Sequence, residues 1–136
     1  MDMHETFSQL NWLAILVAAV STFLIGGIWY SIFEKPWMSA NNYTKELLQQ
    51  RKLPIVFGLS FLFSFIMAFN LAMFIGVQTD FQYGLLAGFL AGFGWVFFSI
   101  AIISLFEKRS ATYIFINGGY ITVAFTAMGA ILGIWH

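Results

Sequence analysis

The sequence predicts an all-α integral membrane protein, a bundle of four transmembrane helices, and three observations predict it. Of the 136 residues, 60% are hydrophobic and only 9% are charged, against about 25% charged in a soluble domain. The apolar residues gather into four long runs, none with Asp, Glu, Lys or Arg well inside it. All six basic residues lie between runs one and two or between runs three and four. A soluble domain of this length has too little interior to hide 17 Phe side chains and so few charges.

Crossing a hydrocarbon core of about 30 Å takes roughly 20 residues at about 1.5 Å each. The first run covers about residues 11–33. The stretch before it, "MDMHETFSQLNW", carries Asp2 and Glu5 and no basic residue. It lacks the basic start and small-residue cleavage site of a signal peptide, so the first run is expected to stay as a span. The second covers about 54–77 and opens on Pro54, whose missing N–H is harmless in a first turn. The third covers about 81–106, with Thr79 or Asp80 placed to cap it. The fourth covers about 112–135. The four spans make a single transmembrane domain over 1–136.

The loop 34–53 is the longest polar stretch. Its "NNYTKELLQQRK" reads in two ways. One is a short interfacial helix starting near Thr44, with Leu47 and Leu48 dipping among headgroups and Lys45, Arg51 and Lys52 facing anionic lipid. The other is a plain polar connector. Lys35, Lys45, Arg51, Lys52, Lys108 and Arg109 all fall on one side of a four-span topology. The positive-inside rule makes that side cytoplasmic and puts both termini outside. Trp12 and Trp135 then mark the outer interface, and Trp29 and Trp37 the inner one.

"SIFEK" at 31–35 is nearly repeated as "SLFEK" at 104–108. In that register Leu13 meets Leu86, Ala14 meets Ala87, and Ala18 meets Ala91. Two readings stand. One is a degenerate two-plus-two repeat of parallel halves about an axis along the membrane normal. The other is convergence, because Phe then Lys suits any helix end at the inner interface. Glu34 and Glu107 are the odd residues, since an acid near a helix C-terminus opposes the dipole. A salt bridge to a neighbouring Lys or to Arg109 is the ordinary explanation, and it is worth little when exposed.

Small residues recur every fourth position. The spans carry Ala14, Ala18, Thr22 and Gly26; Ser60, Ser64, Ala68, Ala72 and Gly76; Gly84, Gly88 and Gly92; and Gly118, Thr122, Thr126 and Ala130, with Gly129 and Gly133 beside them. Lipid gives helices no hydrophobic reason to associate, so close backbone approach must supply dispersion energy. The strongest stripe, Gly84, Gly88 and Gly92, either holds the bundle together or faces another protomer. Ala68, Ala72, Gly76, Gly129 and Gly133 are the other packing candidates.

The embedded polar list is short. Asn70 and Asn117 each need a partner in hydrocarbon, and interhelical bonding is the plain role for both. Span one ends and span four begins on the basic side. Trp29, Tyr30, Ser31, Glu34, Lys35 and Trp37 therefore share a depth zone with Glu107, Arg109, Asn117 and Tyr120, and any site is expected there. With no Cys in the chain, disulfides, thiolate catalysis and zinc–thiolate sites are excluded. His4 and His136 are terminal and make no metal site with any visible carboxylate spacing. No catalytic constellation, metal, cofactor or nucleic-acid partner is expected.

"GGIWYSIFEKPWM" and "LFEKRSATYIFINGGYITVAFTAMGAILGIW" resemble the bacterial membrane family catalogued as domain of unknown function 1761. The matching residues are Trp29, Tyr30, Ser31, Lys35 and Trp37, then Glu107, Asn117, Gly119, Tyr120, Gly129, Gly133 and Trp135. Ile32 stands where the family usually has Pro, and Glu34 where it usually has Gly, so the turn after span one is expected to be more helical here. The resemblance implies four spans in a bacterial inner membrane and no established activity.

Three functions compete. The first is a non-catalytic protein that works by association, as a homo-oligomer or as an accessory subunit of another membrane protein, motivated by the small-residue faces. The second is a small-solute channel or carrier with the Trp/Tyr/Glu/Asn cluster as a cytoplasmic vestibule; against it, no polar stripe runs through a whole span. The third, an enzyme acting on a lipid or isoprenoid at the inner interface through Glu34 or Glu107, lacks a metal-ligand cluster or nucleophile–base pair. The orientation is directly testable. Lys108→Cys introduces the only thiol in the chain, which is expected to react with an impermeant maleimide from the cytoplasmic face alone. Labelling from outside intact cells would invert the topology.

Overall fold

The computed structural model describes residues 2–136. A short helix α1 (Met3–Ser8) leads into α2 (Trp12–Ile32), the first span. The chain continues through α3 (Glu34–Asn41) and α4 (Lys45–Gln49) to α5 (Leu53–Ile75), the second span. The third span, Phe81–Phe106, is α6 (Phe81–Phe89), a π-helical stretch (Leu90–Phe97) and α7 (Phe98–Phe106). The fourth is α8 (Ala111–Ile134). All four are long and apolar enough to cross a membrane. No strand occurs among the described residues.

Side-chain caps explain several helix starts. Asp80 Oδ1 accepts the Tyr83 N–H at 2.8 Å, and Ser110 Oγ accepts that of Tyr113 at 3.2 Å. Thr44 Oγ1 accepts the Leu47 N–H at 3.1 Å, so the first loop does contain a short helix there. Each cap satisfies a donor that the first turn leaves open.

The core lies in the half of the bundle away from the basic loops. Ala14, Ile15, Ala18 and Ala19 of α2 meet Ala68, Leu71, Ala72 and Ile75 of α5 there, with Ala87, Ala91, Met128 and Leu132. α8 is the hub and packs against α2 and the whole third span. The glycine stripe sits at its closest seam. A Cβ on Gly84 would collide with the Gly129 carbonyl, one on Gly88 with the Phe125 carbonyl, and one on Gly133 with the Asp80 carbonyl. Gly92 lies against Phe125 and Thr122 in the same way. The stripe is therefore consumed inside the chain, between spans three and four.

The π stretch continues this seam. Buried positions step by four from Gly84 through Gly88 to Gly92, then by five to Phe97. A wider turn adds that extra residue, so Phe97 faces α8, where its ring fills the space a side chain would take at Gly118.

Gly76 is a correction. Span two ends at Ile75, and Gly76 is its C-cap with φ +78°; a Cβ added there would meet nothing within 4 Å. It supplies the positive φ that ends a helix rather than a packing contact. The two near-identical pentapeptides also diverge. Glu34 opens α3 with only Phe33 between it and the end of α2, whereas Glu107 caps α7 and Lys108 turns left-handed at φ 59°. The residues after each copy make the difference: Pro36 is tolerated in a first helical turn, while Ser110 starts a new span. Packing is unequal too. α2 lies along α8, but α5 meets the third span only near α6 and through the Phe74–Trp95 pair, so the halves do not form a symmetric bundle.

Replacing Gly88 by Leu is expected to lower stability by at least the roughly 1–3 kcal/mol typical of overpacking, because the obstacle is backbone. Gly94→Leu, which meets nothing within 4 Å, is expected to change it by less than about 0.5 kcal/mol. Thermal unfolding in detergent compares the two, and equal losses would remove the seam from its central role.

Candidate functional site

At the basic end, α2 and α8 are joined by three polar contacts. The Trp29 indole N–H donates to the Ile116 carbonyl at 2.8 Å. The Tyr30 hydroxyl donates to Asn117 Oδ1 at 2.6 Å. The Tyr120 hydroxyl donates back to the Thr22 carbonyl at 3.1 Å. Two glycines admit the rings: a Cβ at Gly119 would stand 2.9 Å from Trp29, and one at Gly26 3.1 Å from Tyr120. Tyr30 also meets Tyr120 and Trp37 edge to face, with centroids 5.4 and 5.7 Å apart.

These rings occupy the centre where the opposite half holds alanines, and α5 does not close over them. Its buried residues are Ser64, Ala68, Leu71, Ala72 and Ile75, while every residue from Leu53 to Ser60 is exposed. The gap is a cavity of about 650 Å³ between α2, α5 and α8. Tyr30, Ser31, Asn117 and Tyr120 line one wall, and Val56, Phe57, Ser60 and Ser64 the other. Phe23 and Phe57 meet edge to face at 5.7 Å across the lower flank. Glu34 and Trp37 of α3, with Leu48 and Arg51, form the rim. Ser64 is eleven residues along α5, or about 16 Å deep at about 1.5 Å per residue. The floor is therefore near the middle of the membrane, and the packed alanine core lies beyond it.

Six of the ten residues expected to cluster line this cavity: Tyr30, Ser31, Glu34, Trp37, Asn117 and Tyr120. Trp29 braces the wall from behind. Lys35, Glu107 and Arg109 are exposed and do not line it. Arg109 Nε lies 3.9 Å from Glu107 Oε2 and its guanidinium sits over Tyr113 at 4.9 Å. With side chains 38% and 50% exposed, that ion pair contributes at most about 1 kcal/mol. Asn70 is a further correction: its Nδ2 donates to the Ile66 carbonyl of its own helix at 2.8 Å and joins no second span. An exposed Asn satisfies itself locally when no neighbour is in reach.

Sequence reasoning missed the α5 wall and Arg51. Ser60 and Ser64 were visible as small residues, and only the divergence of α5 turns them toward a cavity. A shallower depression at the other end, lined by Ile75, Gln78, Thr79, Asp80 and Tyr83, shares none of these residues. Chemically the main cavity offers hydroxyls, an amide, aromatic faces and, at the rim, one carboxylate and one guanidinium.

A family model described as "Protein of unknown function (DUF1761)" matches residues 13–133, which takes in all four spans. No curated protein and no solved structure matches the chain.

Interhelical bonds in lipid average about 0.6 kcal/mol and reach about 1.7. A double-mutant cycle on Tyr30→Phe and Asn117→Ala is expected to return a coupling in that range. Strictly additive losses would mean that this contact contributes nothing to the wall.

Proposed function

This chain belongs to the DUF1761 family, and we propose that it is a membrane-embedded binding protein of the carrier type, taking a small organic solute into the cavity at its basic end. The observation that carries the reading is the one-sided cavity left where α5 leaves the bundle. Its volume of about 650 Å³ falls within the roughly 300–1,000 Å³ of small-molecule sites. The packed core beyond Thr22 and Ser64 closes the other half, which supports a vestibule closed at one end over an open channel. By the positive-inside rule the mouth faces the cytoplasm of a bacterial cell, with both termini outside. Its three serines have no imidazole beside them in the lining, which supports binding rather than covalent chemistry.

The alternative, a subunit working by association with a second copy or with another membrane protein, drew on the small-residue faces. Gly84, Gly88, Gly92, Gly129 and Gly133 are now spoken for within the chain, so that reading has less to stand on.

Native mass spectrometry of the protein gently extracted from its own membrane separates the two. A small molecule bound to each chain is expected, lost in Gly27→Phe, whose new ring enters the cavity from a position with nothing within 4 Å. A stoichiometric foreign subunit with no small molecule would pass the function to that partner.

A further inference from the structure

We propose that the cavity takes a zwitterionic amphiphile: a phosphodiester bearing an ammonium group, with an alkyl chain attached. The proposal rests on the binding reading above and names the ligand class for the same cavity.

The rim is the first reason. Glu34 and Arg51 both line the cavity mouth, yet neither is in an ion pair. The one ion pair among the described residues joins Arg109 to Glu107. Arg51 spends its Nε on the Leu48 carbonyl at 3.0 Å, which leaves the outer guanidinium nitrogens for an oxyanion, a group that a guanidinium grips with two parallel bonds. A carboxylate and a guanidinium that line one mouth without pairing match a ligand that carries both charges. A purely anionic ligand would face Glu34, and a purely cationic one would face Arg51.

The rings are the second reason. Tyr30 and Trp37 line the cavity beside Glu34. Aromatic faces next to an acid favour an ammonium group through the ring quadrupole as well as through charge.

The gradient with depth is the third. Glu34 follows the end of α2 and Arg51 precedes the start of α5, so both sit at headgroup level. Below them Val56, Phe57 and Phe23 offer apolar surface, and Val56 and Phe57 lie in the exposed half of α5. An alkyl chain lying against Val56 and Phe57, both exposed, is in contact with the surrounding lipid without crossing the packed core. Ser60 and Asn117 place polar groups on the walls, deeper than Val56 and Phe57, within reach of a ligand's polar linkage. Charge at the rim, apolar surface on the α5 flank and polar groups on the inner walls give each part of a phospholipid a matching surface.

The test uses the full chain in a mild maltoside detergent, with lysophosphatidylethanolamine, lysophosphatidylglycerol and free phosphoethanolamine as probes, by isothermal titration. The wild type is expected to bind the ethanolamine lysolipid most tightly. Losing hydrogen bonds to the charged phosphate, Arg51→Gln is expected to weaken both lysolipids about tenfold or more. Glu34→Gln is expected to weaken the ethanolamine form alone and so erase the preference over the glycerol form. Both residues are exposed, and melting temperatures are expected to stay unchanged. Equal binding of the two lysolipids by the wild type, or indifference to Glu34→Gln, overturns the zwitterion. Free phosphoethanolamine binding as tightly as its lysolipid overturns the amphiphile in favour of a soluble headgroup compound. Gly27→Phe tells this failure from that of the cavity reading. If it lowers binding of every probe while the rim variants do nothing, the headgroup assignment alone falls. If it too has no effect, the cavity is not the binding site and both readings fall.

Discussion

Backbone contact between the third and fourth spans is the constraint on which the rest of the structure depends. Gly84 and Gly88 lie against Gly129 and Gly133 so closely that no Cβ fits at any of them. In hydrocarbon, apolar side chains gain nothing by leaving lipid for protein, so dense van der Waals contact and polar bonds must hold helices together. This seam has the densest contact in the chain. It fixes α8 as the hub, and α8 then presents its other side to α2.

Side-chain size divides the bundle into two halves along the membrane normal. Away from the basic loops the centre holds Ala14, Ala18, Ala68 and Ala72, all essentially buried, and α2, α5 and α8 converge. Toward the basic loops the centre holds Trp29, Tyr30 and Tyr120. Their hydroxyls and indole are bonded between α2 and α8, so that pair stays joined with rings between its members. α5 has no such bond there; it touches α2 through the Phe23–Phe57 pair and otherwise leaves its first two turns exposed. The cavity has one braced wall and one wall, α5 from Leu53 to Ser60, with few buried contacts. Low local contact density is the physical mark of a segment that opens at low free-energy cost.

The polar groups separate in the same way. Those with a partner across the helix pair, Asn117 with Tyr30 above all, are structural as well as lining the cavity. The unpaired charges, Glu34 and Arg51, sit exposed at the rim. The fourth span contributes to both the seam and the braced wall, through Gly129 and Gly133 at one end and Asn117, Gly119 and Tyr120 at the other.

Much was legible in the order of residues alone. Hydropathy runs of membrane length set the number of spans, because a bilayer admits only helices whose backbone is bonded internally. The basic residues set which loops share a side. Capping chemistry placed the starts of α4 and of the third span. The cluster of Trp29, Tyr30, Asn117 and Tyr120 was legible because sequence and direction of travel put these residues at one depth. Azimuth was not legible, since depth follows from counting residues while the direction a side chain faces depends on which helix stands beside it. Only the tertiary structure decided that Gly84, Gly88 and Gly92 face α8 and not another protomer. It also decided that Gly76 ends a helix, that Asn70 bonds its own backbone, that Glu107 stays outside the cavity and that Arg51 joins its rim. The same five residues, written twice, became a helix start in one place and a turn in the other, because the residues and helices around them differ.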